Sequence, residues 1–177
     1  ESDEYLALLD AFTRLALEYS HYVFVNVQSV SGNKIALIDY LAVFRDKYAD
    51  TIIWDKLGAE PAMAHNVLNS RFEYVHVFSD KANRAIGTKE FRGTLENMVF
   101  INSRQDKQLS DAHKATFPVA FATHFVDSFS NAGEIVLDPF IGTGTTLIGC
   151  QKLKRHARCI ELDPGYAAVT LQRWADM

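Results

Sequence analysis

One short stretch limits what this chain can fold into more than any other. Between Glu134 and Tyr166 an apolar run, Ile135-Val136-Leu137, ends in Asp138-Pro139 and passes into Gly142-Thr143-Gly144; a second strand-prone run, Ala157–Ile160, then ends in Glu161. A strand, a Gly-x-Gly turn, a helix to about Lys154 and a return strand make one βαβ unit, in which the helix is the crossover that parallel strands need. Glycines suit the turn because φ is free to be positive there and because a ligand must approach the main chain closely. Glu161 follows Gly144 by 17 residues, the place from which a carboxylate reaches the hydroxyls of a bound ribose. The unit is therefore expected to hold an adenosyl ligand at the carboxyl ends of its strands.

The loop also discriminates between adenosyl ligands. A dinucleotide site wants a small residue three positions after the second glycine, so that the helix packs closely beneath a pyrophosphate; Leu147 stands there. The loop opens instead with the carboxylate of Asp138. That charge would repel a pyrophosphate and suits the ammonium group of a methionine moiety. The residues thus point to S-adenosylmethionine rather than NAD.

The rest of the chain alternates in the same way. Tyr5–Leu17 reads as an amphipathic helix, His21–Val27 as a buried strand, Ile35–Tyr48 as a helix, Thr51–Trp54 and Phe72–Phe78 as strands, and Gly165–Trp174 as a final helix. Ala115–Phe129 reads as a helix with Pro118 in its first turn, where a missing N–H costs little. Ser79–Asp111 reads as a long basic loop or insertion whose one strand-like piece is Met98–Ile101. This order predicts an α/β fold, a Rossmann-like three-layer sandwich around a mostly parallel sheet. At 177 residues the chain fits one domain: residues 1–80 as one half, 81–112 as the basic insertion and 113–177 as the cofactor half. No run of 18 apolar residues suggests a membrane span, and Glu1-Ser2-Asp3-Glu4 does not resemble a signal peptide. Cys150 and Cys159 are too few for a disulfide framework, lack metal-ligand spacing and are expected as small core residues in a reducing cytoplasm.

The formal charge of −4 argues mildly against a nucleic-acid partner, but the average hides an asymmetry. Residues 1–60 hold ten acids and five bases, whereas 81–114 holds seven bases and four acids. A basic stretch of this kind is either solvated surface or a contact with phosphates.

Asp138-Pro-Phe-Ile-Gly-Thr-Gly-Thr-Thr146 resembles the cofactor motif of the β-group DNA amino-methyltransferases, which modify adenine N6 or cytosine N4, and Glu161-Leu-Asp-Pro-Gly-Tyr166 is similar to the acidic motif that follows it. His113-Lys-Ala-Thr-Phe-Pro118 resembles that family's segment closing over the methionine end of the cofactor, and this permuted order is the group's own. The resemblance spans nearly the whole chain, more loosely over the strands of the first eighty residues. It implies S-adenosylmethionine as cofactor, held by Asp138, Phe140, Gly142, Gly144, Thr145 and Glu161, with Thr116, Phe117 and Pro118 closing over it. It implies double-stranded DNA as partner and a bacterial or phage-encoded cytoplasmic enzyme, with adenine N6 placed ahead of cytosine N4 and a homodimer or restriction partner conceivable. Arg84, Lys89 and Arg92 are the expected phosphate contacts.

One departure stands out. The family's Asp/Asn/Ser-Pro-Pro-aromatic catalytic tetrapeptide should precede the first helix, and no Pro-Pro occurs in these residues. No catalytic residue is assigned, and truncation at the amino terminus is the favoured expectation. A catalytically inactive cofactor- and DNA-binding subunit, and an RNA or small-molecule methyltransferase, stand as alternatives. His113, His124 and Asp127 match no well-defined metal-ligand spacing and are expected on a surface or helix face. Trp54 is expected either in a target pocket or in the core.

Overall fold

The computed structural model describes residues 2–60, 65–87, 89–103 and 117–177. They form two compact units, the first comprising 1–87 with 92–100 and the second 88–91 with 101–177. Thr116 and His113 lie outside the described residues.

The first unit begins with α1 (Ser2–Tyr19), β1 (Tyr22–Val27), α2 (Lys34–Val43), β2 (Tyr48–Glu60) and β3 (Ser70–Ser79), and ends with β4 (Met98–Phe100). The four strands form one sheet in the order β1-β3-β2-β4. Here the mostly parallel expectation needs correction: β3 runs antiparallel to both its neighbours, and only β2 and β4 pair in parallel. The reason is the connection. Residues 61–69 are too few for a crossover, so β2 and β3 must pair as a hairpin, whereas the helix between β1 and β2 lets those two point the same way. The hairpin also lengthens β2 well beyond Thr51–Trp54, and α2 stops at Val43 instead of running to Tyr48.

Two helices cover one face of this sheet. Leu9 and Ala16 of α1, with Leu37 and Tyr40 of α2, bury themselves against Val23, Val25, Val27 and Phe78. Leu9, Thr13 and Ala16 recur at helical spacing, which gives α1 its single buried stripe. Tyr40, Phe44 and Phe78 meet edge to face, with centroids 5.2–5.7 Å apart. The Tyr40 hydroxyl, which could not be buried unpaired without cost, shares a 2.6 Å hydrogen bond with Thr13. Burial pushes the pKa of that phenol well above its usual value.

His76 sits on the same face, stacked 5.3 Å from Tyr74, with Nδ1 3.0 Å from the Thr51 hydroxyl. Burial pushes its pKa down to about 4. A folded-state value below the unfolded value of about 6.5 means the neutral ring stabilises the fold fully above that pH, and this contribution is lost as pH falls toward 4. Urea unfolding at pH 7 and pH 4.5 should show a loss of roughly 2 kcal/mol from this group; His76→Phe should remove that share of the slope.

At the carboxyl end of β2 the Lys56 side chain, 3% exposed, is paired to Glu73 at 3.0 Å, and Asp55 accepts from Arg71. Each buried charge is met by its opposite on the neighbouring strand, the condition for holding ions inside a sheet.

The second unit contains α3 (Val119–Phe129), β5 (Ile135–Asp138), α4 (Thr145–Lys152), β6 (His156–Cys159) and α5 (Pro164–Ala175). β5 and β6 pair in parallel, with Asp138 opposite Cys159, as the βαβ reading expects. Pro118 caps α3 from an extended conformation. Arg155 joins the end of α3 to the start of β6: its guanidinium donates to the Ser130 carbonyl at 2.6 Å and the Ser130 hydroxyl at 3.1 Å. Cys150 is fully buried, which raises its pKa to about 11, but Cys159 is exposed, contrary to the core expectation. It closes the four-residue β6, of which only Ala157 is partly buried. No helix among the described residues is long and apolar enough to cross a membrane.

Candidate functional site

The glycine loop lies within the second unit, between the carboxyl end of β5 and the start of α4. Gly142 has φ +54 and Gly144 φ +89, the left-handed region that the turn was expected to demand. The two glycines are needed for different further reasons. A Cβ on Gly144 would stand 2.7 Å from the Thr170 side chain, so α5 packs directly onto the loop there. A Cβ on Gly142 would meet nothing within 4 Å, so that side of the main chain is open to approach.

Glu161 is tied to this loop. One carboxylate oxygen accepts from the Gly142 N–H at 2.8 Å, and the other from the Asp163 N–H at 2.8 Å. A carboxylate offers about four acceptor positions, so two remain for further donors such as ribose hydroxyls. Asp138 closes the other side: its Oδ1 accepts from the Phe140 N–H at 3.0 Å, while Ile160 N–H binds the Asp138 carbonyl at 3.1 Å and continues the β5–β6 ladder. Phe140 is 59% exposed beside it. Thr145 begins α4 with its side chain buried, its hydroxyl 3.5 Å from Arg173.

Sequence reasoning missed the residues that brace this arrangement. Thr170 donates to the Gly142 carbonyl at 2.9 Å, and the Arg173 guanidinium donates to the Thr143 carbonyl. Both come from α5, whose start is fixed by Asp163 accepting from the N–H groups of Gly165 and Tyr166, with Pro164 in the first turn. The Asp-Pro pair is the legible part of this signal; the contacts of Thr170 and Arg173 are not. Phe117 was expected to close over the cofactor. Its ring stands two residues before α3, at the head of a row at i, i+4 spacing, Phe117–Phe121–Phe125–Phe129, with centroids 4.8–6.0 Å apart, and Phe91 meets the far end at 6.1 Å. That spacing was visible in the sequence. Pro118 is half-buried at the cap.

This loop, acid and brace suit a ligand with vicinal hydroxyls and a cationic end, and the family match agrees with them. The model of the N6/N4 DNA methylases, described as DNA methylase, matches residues 1–172. The chain belongs to the N6/N4 DNA methylase family. Among curated relatives it is 32% identical over 135 residues to the type II methyltransferase M.SmaI of Serratia marcescens, covering 69% of this chain and 44% of that protein. It is 27% identical over 127 residues to M.Cfr9I of Citrobacter freundii, covering 69% of this chain and 42% of that protein. The chain thus spans less than half the length of these relatives. The fold matches the solved M1.HpyAVI–SAM complex with TM-score 0.72 and 21% identity, over 98% of this chain and 85% of that one. It matches the cytosine-N4-specific PvuII DNA methyltransferase with TM-score 0.74 and 17% identity, over 94% and 70%. The α/β methyltransferase expectation therefore holds at the level of the fold, with a mixed sheet.

The other expected residues make contacts of their own. Arg84 binds Asp50, near the amino end of β2, at 2.9 Å. Lys89 donates to the Asp127 carbonyl at 3.0 Å and lies 3.6 Å from its carboxylate. Arg92 is exposed. Trp54 is buried, 3% exposed, in mid-sheet, which is the core reading. His124 stands edge-on to Phe125, and Asp127 also pairs with Arg155.

Proposed function

We propose that the protein transfers a methyl group from S-adenosylmethionine to an exocyclic amino group of double-stranded DNA, adenine N6 before cytosine N4. The observation that carries this is the Glu161 carboxylate bound to the Gly142 N–H, which couples the acid to the open side of the glycine loop. In this reading Glu161 accepts from the ribose, Asp138 attracts the methionine ammonium, and Phe140 covers the apolar part of the ligand, with Thr145 in the wall and Thr116, Phe117 and Pro118 as the closing segment. The cofactor supplies an activated methyl group on a sulfonium. The protein's task is to position the amine, exclude water and stabilise the charge developing on nitrogen, without a covalent intermediate. Both compact units would serve one methyltransferase domain in the cytoplasm, with a second copy or a restriction enzyme as the partner to seek. Because the chain spans less than half of its curated relatives, the transfer is proposed for the whole protein.

The reading is tested by incubating the whole protein with methyl-labelled cofactor and either duplex DNA or RNA. Label in N6-methyladenine of the DNA is expected. Label only in RNA, or in no nucleic acid, would overturn it.

The phosphate contacts divide in this proposal. Arg84 and Lys89 must give up Asp50 and Asp127 to reach a phosphate, whereas exposed Arg92 need not. Arg92→Ala should therefore weaken DNA binding and reduce the slope of log K against log[salt] by about 0.9. Arg84→Ala should change that slope less. Fluorescence anisotropy across a salt series reads both.

A further inference from the structure

α1 and α2 bury their inner faces on the sheet of the first unit, yet their outer faces are apolar as well. Leu8, Leu15 and Tyr19 of α1 and Ile35, Ile38 and Val43 of α2 are each 52–75% exposed. In α2 only Lys34 and Asp39 carry charge, and a helix that is apolar all round is one that is covered on both sides. We propose that a second copy of this chain covers this face, in a two-fold dimer that sets α1 of each copy on α2 of the other.

The area suits such a partner. With the exposed Ala11 and Ala42 between them, these side chains present on the order of 700 Å², against roughly 800 Å² per partner in a standard interface. A monomer rarely leaves more than a few hundred Å² of contiguous apolar surface bare. The charge is close to balanced: exposed Glu4, Glu18 and Asp39 stand with Arg14 and Lys34, and Arg45 has Asp46 3.6 Å away. Such a face does not repel its own copy, and it lacks the excess of bases that a phosphate backbone needs.

The register makes the face complementary to itself. The two helices run side by side in the same direction: Tyr5 hydrogen-bonds Asn33, Thr13 bonds Tyr40, and the Arg14 guanidinium lies 5.1 Å from the Phe44 ring. Residues 27 apart, as Thr13 and Tyr40 are, therefore stand level. A two-fold axis along the helices keeps those levels and places α1 over the partner's α2. Leu8 then faces the partner's Ile35, Ala11 the partner's Ile38, and Leu15 the partner's Ala42. Small stands against large at the second and third of these levels, which lets the two surfaces interdigitate. One turn further, Glu18 faces the partner's Arg45 in the turn after α2, acid against base. The axis makes every one of these contacts twice.

The proposal stands apart from the methyl-transfer reading and is tested without cofactor or DNA. Sedimentation of the whole protein over roughly a hundredfold range of concentration should show a monomer–dimer equilibrium. Ile38→Glu, at a position 62% exposed, should raise the dissociation constant about 100-fold while the circular dichroism of the folded chain is kept. Glu18→Lys alone and Arg45→Glu alone set like charges face to face, and each should weaken its homodimer about tenfold. Mixing those two variants should restore the wild-type constant in a heterodimer, because both contacts then join opposite charges again. A monomer at every concentration would overturn the proposal, whether the face is bare or covered by another part of the chain. So would a dimer indifferent to Ile38→Glu, or charge variants whose mixing restores nothing.

Discussion

Glu161→Ala is expected to weaken binding of S-adenosylhomocysteine about 100-fold. Two ribose hydroxyls donating to one carboxylate contribute roughly 1.5 kcal/mol each, and their joint loss of about 3 kcal/mol corresponds to that factor. The substitution also releases the N–H groups of Gly142 and Asp163, so the melting temperature should fall by a few degrees, on the order of 1 kcal/mol. The two effects are separable. Calorimetry reads the first and thermal unfolding the second. A lowered melting temperature with unchanged affinity would leave Glu161 as a loop brace and remove it from the ribose.

Gly144→Ala should be the most damaging single methyl in the second unit. The residue would have to hold φ +89, and its Cβ would stand 2.7 Å from Thr170 Cγ2 and 2.9 Å from Thr170 Oγ1. Left-handed backbone costs an L-residue about 1–2 kcal/mol, and overpacking adds about 1–3. A loss near 3 kcal/mol would lower the melting temperature by roughly 6–12 °C in a chain of this size. Adding Thr170→Ala removes the two closest atoms, so the pair should be less damaged than the sum of the singles; the backbone cost stays. Strict additivity in the double-mutant cycle would mean α5 does not bear on the loop as described.

The loop was legible because its constraints are local. Positive φ selects glycine at 142 and 144, and Asp163-Pro164 announces the start of a helix three residues beyond the acid. The brace was not, because Thr170 and Arg173 act 28 and 30 residues away and threonine and arginine on a helix have many uses. The ion pairs of the basic stretch were not legible for the same reason: charge counts cannot show that Arg84 will find Asp50 or that Lys89 will find Asp127. The sheet was mis-read from a rule applied too broadly. Helices do alternate with strands, but residues 61–69 between β2 and β3 are too few for a crossover, and that forces the antiparallel pairing. The row from Phe117 to Phe129 was present in the sequence as four phenylalanines spaced by four residues, the last three on one face of α3.

The loop from Asp138 to Gly144, with Glu161, is expected to select an adenosyl group joined to a methionine-like ammonium over one joined to a pyrophosphate. Calorimetric titration of the protein with S-adenosylhomocysteine, adenosine and NAD tests this directly. One site filled most tightly by S-adenosylhomocysteine, more weakly by adenosine and not measurably by NAD is the predicted result; NAD binding as tightly as S-adenosylhomocysteine would contradict it.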